Sequence, residues 1–397
     1  MKVGYLAENY LYKRNIINIV QDVEYQKVNN LYALTYPALK YINKIAKKTV
    51  IPFNDSIYQF TDLNLNKVDI LHFFNTISYG KTPWITTFET ILPRLDCTLS
   101  CHQGSRPDFS VLTNYKVVKK ALAAMASDSC KRLIAMSDCN ANMQRILLKD
   151  FPQYQQAIEP KITTLHPPQQ LLVSSYADKN INLDGKIKFI LVGASFFRKG
   201  GMEVVETFSK LKREYNYDLE LTLISSLRLD DYATKETNAD IQKAKILIQQ
   251  NLDWINYHEQ LPNKEVLELT KQCHVGLLPT YADTYGFSVL EFQAAGCPVI
   301  TTNIRALPEV NDNDRGWIIE VPTNYLGEAI YTTKEERLEI NSAIKSGLER
   351  IVHEIFANRE AVIAKSNRSI QGIRDNHSLS NYADKMKDIY LQVVPEG

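Results

Sequence analysis

The sequence predicts an α/β protein made of two doubly wound, parallel-sheet units in series. Three observations predict it. Short apolar runs rich in β-branched and aromatic residues alternate with amphipathic helical stretches. The alternation breaks at Leu165-His166-Pro167-Pro168 and restarts beyond a polar stretch at 176–187. The chain has 397 residues, enough for about two to three domains at roughly 150 residues each.

In the first half, Lys2–Leu6, Val68–Phe74, Trp84–Phe88 and Leu133–Met136 read as strands, each closed by a turn signal or a polar stretch. Tyr115–Ala126 and Ala141–Leu148 carry helical periodicity between them. A parallel sheet is covered by helices on both faces, so its strands are apolar throughout rather than alternating. Proline lacks the N–H that a ladder needs, so Pro167 and Pro168 stop the strand before them. Residues 176–187, with Asn and Asp, read as a linker. Beyond it come the strand Phe189–Val192, the helix Met202–Tyr215, the strand Leu219–Ile224 and the helix Ile241–Gln250. The strand Val275–Leu278, the helix Val289–Ala295 and the strands Val299–Thr302 and Trp317–Val321 follow, with long helical segments to the end. Two such units in series suit a ligand cleft between them.

Composition excludes several classes. Apolar residues make up 45% and charged residues 23%, the balance of a globular chain rather than a collagen-like or disordered one. No run approaches the roughly 18–20 apolar residues of a membrane span. Glu8 falls where a signal peptide would be apolar. The six cysteines, Cys97, Cys101, Cys130, Cys139, Cys273 and Cys297, are scattered, which suits free thiols in a reducing compartment. Cys97, Cys101 and His102 lack the second Cys/His pair that would complete a zinc site. Residues 1–175 hold 20 Lys+Arg and 13 Asp+Glu, a net +7, and residues 176–397 hold 26 and 32, a net −6. A basic first half and an acidic second half suit two units with different partners.

Two segments carry chemistry. In the first, Leu191-Val192-Gly193-Ala194-Ser195-Phe196-Phe197-Arg198-Lys199-Gly200-Gly201, a buried strand enters a loop with two cations just before a helix. Helix N-terminal N–H groups already favour an anion, and a diphosphate is the natural ligand; the same residues would equally serve as a solvated basic loop. The segment lacks the Gly-Lys-Ser/Thr of a P-loop, and no strand is followed by Gly-x-Gly-x-x-Gly. In the second, Pro279 to Ile300, Asp283 and Glu291 lie eight residues apart. Gly286 lets the backbone approach a ligand, and Ser288 is placed to cap the helix that holds Glu291. A loop carboxylate and a helix carboxylate in one cleft would accept hydrogen bonds from a hydroxyl-rich ligand. Each acid taken singly would also fit an ordinary surface position.

Together the two segments resemble the retaining glycosyltransferases of family 4, which have the two-domain GT-B fold. The match is carried by Asp283-Thr284-Tyr285-Gly286-Phe287-Ser288-Val289-Leu290-Glu291, by Gly296-Cys297-Pro298-Val299-Ile300, and by Gly193 to Gly200. Leu261–Val266, Cys273–Gly276, Leu307–Val310 and Arg315–Trp317 extend it, so it covers 187–320 strongly. It is weak over the first half, where Ser137 after Leu133–Met136 matches best. The resemblance implies a first domain over 1–175 that binds the acceptor, a second over 176–377 that binds a nucleotide-sugar donor, and a C-terminal helix, 378–397, that returns to the first domain.

Residue by residue, the resemblance implies that Glu291 holds the donor ribose hydroxyls, Asp283 holds hydroxyls of the transferred sugar, and Lys199 balances diphosphate charge as the nucleotide leaves. Gly193, Gly286, Phe287 and Ser288 line the donor. Asp283 stands where the family has Glu, and Ala194 where it has Arg, so that Arg198 would compensate from another position. Glu89, ending Pro83-Trp84-Ile85-Thr86-Thr87-Phe88-Glu89, takes the place of a His. It would orient the sugar or accept a proton, or be a satisfied polar strand end. The glycine pair the family carries after its first strand has no counterpart in Leu6–Ile16.

The activity implied is transfer of a sugar, with retention, from a UDP- or GDP-sugar to a glycan or lipid-linked glycan in surface polysaccharide or glycoconjugate assembly. Fixed cations and helix-end amides would stabilise the leaving diphosphate, so no metal is required. A non-catalytic nucleotide-sugar-binding protein and an epimerase of the same fold are the rival readings. Two basic stretches, Ala38–Lys48 and Lys116, Lys119 and Lys120, would dock the first domain on the inner face of an anionic membrane or be solvated helix faces. Nucleic acid is not expected, because aromatic interleaving is missing. The location implied is cytoplasmic, with peripheral membrane contact at most.

Overall fold

A computed structural model describes residues 1–46, 54–230 and 232–393. The chain divides into two compact units. The first comprises 1–103, 107–168 and 379–397, and the second 104–106 and 169–378.

The main sheet of the first unit has six parallel strands among the described residues, in the spatial order Glu24–Lys27, Lys2–Tyr5, Ile70–Phe74, Trp84–Phe88, Cys130–Ala135, Ile162–Thr164. Its two central strands, Ile70–Phe74 and Trp84–Phe88, are buried at every position, as a sheet covered on both faces requires. Glu24–Lys27, by contrast, is an exposed edge strand of charged and polar residues; burial does not select its sequence, so its composition carries no strand signal. The helices Lys116–Ala126 and Asp138–Lys149 stand close to their expected places. Ser137 caps the second of them, its Oγ accepting the Asn140 N–H at 3.1 Å.

The helix Leu379–Val393 belongs to this unit. Tyr382, Met386 and Tyr390 recur four apart on one face and pack with Val3, Val20, Ile70, Ile85, Ile134 and Leu165. Below them His72 is fully buried, 2.7 Å from Tyr390 Oη through Nδ1 and 2.9 Å from Thr87 Oγ1 through Nε2. Burial pushes its pKa down to about 3. The folded protein therefore keeps His72 neutral where the unfolded chain, with a pKa near 6.5, takes up a proton. Between those values the unfolded state binds more protons, so stability rises with pH, is fully present above about 6.5, and is lost at up to about 1.4 kcal/mol per pH unit on acidification. Urea unfolding at pH 7.5 and 5.5 should show this loss in the wild type, and His72→Gln should remove one proton from the slope. An unchanged slope would mean His72 is already protonated in the fold.

The second unit has the parallel order Ile255–His258, Leu219–Ile224, Ile187–Val192, Val275–Leu278, Val299–Thr302, Trp317–Ile319. Numbered within the unit this is 3-2-1-4-5-6, and the order reverses between Ile187–Val192 and Val275–Leu278. Loops leaving the carboxyl ends of those two strands start at this switch point, the place where ligands bind in open α/β sheets. Ile255–His258, at the opposite edge, is half-exposed, another strand its composition does not announce.

The units divide at Pro168–Gln169, before the expected 175/176 boundary. Backbone N–H groups of Gln169, Leu172 and Val173 already bond to carbonyls of His377 and Ala294 in the second unit. The expected linker 176–187 is likewise structured. Tyr176–Lys179 forms a 3-10 turn, and Tyr176, Lys179 and Leu183 are buried. Lys179 Nζ donates to Ala295 O at 2.7 Å at the end of a helix, an interaction a polar-looking stretch does not advertise. No helix among the described residues is long and apolar enough to cross a membrane.

Candidate active site

The strand Ile187–Val192 runs into Gly193–Gly200, and the helix Gly201–Tyr215 begins directly after. Gly200 has φ +74°, and a Cβ there would collide with the Pro279 carbonyl oxygen, so only glycine lets the two loops touch. Three hydrogen bonds join them. Tyr281 N–H and Thr280 Oγ1 both donate to Arg198 O, at 2.9 and 2.8 Å, and Lys199 Nζ bonds to Asp283 Oδ2. Residues 84 apart in sequence thus meet because their strands are neighbours in the sheet.

Asp283 is held on both oxygens. Oδ1 accepts the N–H groups of Tyr285 and Gly286, at 3.2 and 3.0 Å. The Lys199 and Asp283 side chains are 15% and 13% exposed. Burial pushes the Asp283 carboxyl up, but the Lys199 charge, its hydrogen bond and the two amides outweigh burial and hold it below the ordinary carboxylate value. The Lys199 stem lies over Gly193, where a Cβ would come 2.9 Å from Lys199 Cγ.

Gly286, φ +87°, is the N-cap of the helix Phe287–Ala294. This corrects the expected role of Ser288, which lies inside the first turn and makes no cap bond. The helix Phe287–Ala294 starts directly after the left-handed turn at Gly286, and a helix N-terminus is a favourable place for an anion. Phe287, Ser288 and Glu291 are partly buried along this helix.

Arg198 is placed differently from Lys199. Its Nη2 donates to Ser195 Oγ at 3.1 Å, its Nε lies 3.8 Å from Asp230 Oδ2, and its guanidinium stands 5.9 Å from the Tyr232 ring centre. Sequence analysis did not single out Ser195, Asp230 or Tyr232; no local pattern pairs them with Arg198. Glu89 belongs to the first unit, at the end of Trp84–Phe88. Its Oε1 accepts from Asn75 Nδ2 at 3.3 Å and lies 3.3 Å from Arg94 Nη1. The structure thus brings Lys199, Asp283, Gly193 and Gly286 together, sets Arg198 beside them against other partners, and keeps Glu89 in the other unit. Asp312-Asn313-Asp314 has an Asp-x-Asp spacing. Asp312 pairs with Arg315 at 2.7 Å, and Asp314 lies 3.5 Å from Arg368.

Two doubly wound parallel sheets, one bearing a lysine–carboxylate pair at its switch point, define a protein of the GT-B class. Residues 175–381 match the family of glycosyl transferases group 1, and the chain belongs to that family. A curated relative from Campylobacter jejuni, an N,N'-diacetylbacillosaminyl-diphospho-undecaprenol α-1,3-N-acetylgalactosaminyltransferase, is 23% identical over 186 residues. That match covers 46% of this chain and 45% of the relative, so the chain spans less than half of the relative's length. Among solved structures, WaaG, a glycosyltransferase involved in lipopolysaccharide biosynthesis, superposes with a TM-score of 0.57 over 100% of both chains at 14% identity. Anabaena HepE in complex with UDP superposes with a TM-score of 0.57 over 99% of this chain and 100% of its own, at 9% identity. At these identities the likeness is one of fold.

Proposed function

We propose that the chain transfers a sugar, with retention, from a nucleoside-diphosphate sugar to a hydroxyl of a glycan or lipid-linked glycan. The observation that carries this is the Lys199–Asp283 pair beside the N-terminal turns of Gly201–Tyr215 and Phe287–Ala294, at the switch point of the sheet. The Campylobacter relative's name gives a diphospho-undecaprenol acceptor, and HepE was solved with UDP; both support the same chemistry here. In this reading Glu291 takes the ribose hydroxyls and Asp283 those of the sugar. Bond cleavage builds negative charge on the leaving diphosphate. Lys199 and the helix-end amides, fixed before the reaction starts, stabilise that charge without a metal ion. Arg198, braced by Ser195 and Asp230, adds positive potential and sets the loop. Glu89 would handle the acceptor proton.

Thermal shift with UDP, GDP, ADP and CMP tests the donor site. One diphosphate should raise the Tm of the wild type, and the increment should vanish in Glu291→Ala and Lys199→Ala. No increment with any nucleotide sinks the reading, and binding without turnover on any acceptor would turn it into a non-catalytic nucleotide-sugar-binding protein.

We also propose peripheral membrane contact for the first unit. In and before the helix Tyr36–Ala46, Leu34, Tyr41, Ile42 and Ile45 are exposed alongside Lys44, the combination that binds an anionic interface. Lys47 and Lys48 of the same basic stretch lie outside the described residues. Co-sedimentation should favour vesicles with anionic lipid over phosphatidylcholine alone, and Ile45→Asp should abolish it. Equal failure on both vesicles would remove the membrane from the account.

A further inference from the structure

We infer that Glu203 is a positioning residue for the donor site, holding the Thr280–Gly286 loop in place through the Tyr281 hydroxyl. Glu203 lies on the helix Gly201–Tyr215 and is only 4% exposed. Its Oε1 accepts from Tyr281 Oη at 2.8 Å and from Asn341 Nδ2 at 2.5 Å. Asn341 sits on the helix Lys334–Ala357. One carboxyl oxygen therefore ties three elements: the helix that starts after Lys199, the loop that carries Asp283, and a second helix that packs on the first.

The fold alone does not call for an acid here. Val204, Val205, Phe208 and Leu211 make the buried face of the helix, and an apolar residue at 203 would extend that face. Glu203 instead buries a carboxyl whose Oε2 has no hydrogen-bond partner, a costly choice. Burial accordingly pushes its pKa up, against the bonds from Tyr281 and Asn341. What the acid supplies is an acceptor for Tyr281, two residues before Asp283. Tyr281 is thereby held at both ends, by Arg198 O at its backbone N–H and by Glu203 at its hydroxyl. Released at the hydroxyl, the loop would swing on its backbone bonds, and the Lys199–Asp283 geometry would loosen with it.

This inference rests on the donor-site reading above, and the test separates the two. UDP and GDP affinities are measured by calorimetry well below every variant's Tm, with hydrogen exchange of the 282–286 amides alongside. Glu203→Ala and Tyr281→Phe should weaken diphosphate binding at least tenfold and speed exchange in the loop. Glu203→Gln, which keeps the Oε1 acceptor, should stay within threefold of wild type. Val205→Ala, a core truncation on the same helix, should lower Tm without changing affinity. Unchanged affinity in Glu203→Ala and Tyr281→Phe, with the wild type binding normally, overturns the positioning role. So does a loss in Val205→Ala as large as theirs, because Glu203 would then act on stability alone. A wild type that binds neither nucleotide overturns the donor site itself, and this inference with it.

Discussion

Replacing Lys199 with alanine should lower kcat for sugar transfer by about 10²–10³-fold, the size of effect seen when one preorganised group facing developing negative charge is removed. It should also destabilise the protein. Asp283 would keep its two backbone N–H donors but lose its cation, and leaving one member of a buried pair uncompensated costs about 3–5 kcal/mol. The carboxyl, now held below its ordinary value chiefly by Lys199 against burial, would titrate upward. The double variant Lys199→Ala/Asp283→Asn separates the two effects, since it removes the orphaned charge. Its Tm should return toward the wild type while its turnover stays low. Turnover of Lys199→Ala within threefold of wild type would show that the lysine serves the pair and not the leaving group.

Truncation after Ser378 should unfold the first unit and spare the nucleotide binding proposed for the second. The helix Leu379–Val393 contributes Tyr382, Met386 and Tyr390 to the first unit's core, each at most 3% exposed. At about 1.5–3 kcal/mol for each buried side chain, their loss removes about 5–9 kcal/mol, comparable to the whole stability of a domain. Two buried polar groups would also lose partners, His72 Nδ1 and the Asn15 carbonyl that accepts from Tyr382 Oη at 2.9 Å. Limited proteolysis should degrade residues 1–168 and leave a stable fragment beginning near 169, while calorimetry should return a wild-type affinity for the diphosphate. A first unit that resists protease after truncation would show that its core closes without the helix.

The parts of the site that are local in sequence were legible there. Gly193–Gly201 and Asp283–Glu291 each lie in one loop and one helical start, and a strand running into a cation or a glycine before a helix is a short-range pattern. The central strands were legible because burial on both faces makes them continuous apolar runs. The edge strands Glu24–Lys27 and Ile255–His258 were not: the first is charged and solvent-facing and the second half-exposed, so nothing in their composition separates them from loops. The same limit hid the buried side of 176–187, whose Tyr176, Lys179 and Leu183 are spaced irregularly among polar residues. It also misplaced the helix cap, because the choice between Gly286 and Ser288 turns on a backbone dihedral.

Sequence by itself determined the residue types of the site and the two-unit α/β plan, since these follow from periodicity, turn chemistry and short motifs, while the helix that returns at the end followed from the family resemblance. Tertiary structure alone decided the partners. Lys199 meets Asp283 and Glu203 reaches Tyr281 because the strand order 3-2-1-4-5-6 sets the first and fourth strands side by side, and Arg198 reaches Asp230 because the second strand flanks the first on its other side. That adjacency is a property of how the sheet is wound, and winding is set by the summed packing of all six strands and their covering helices. No single stretch of sequence contains it.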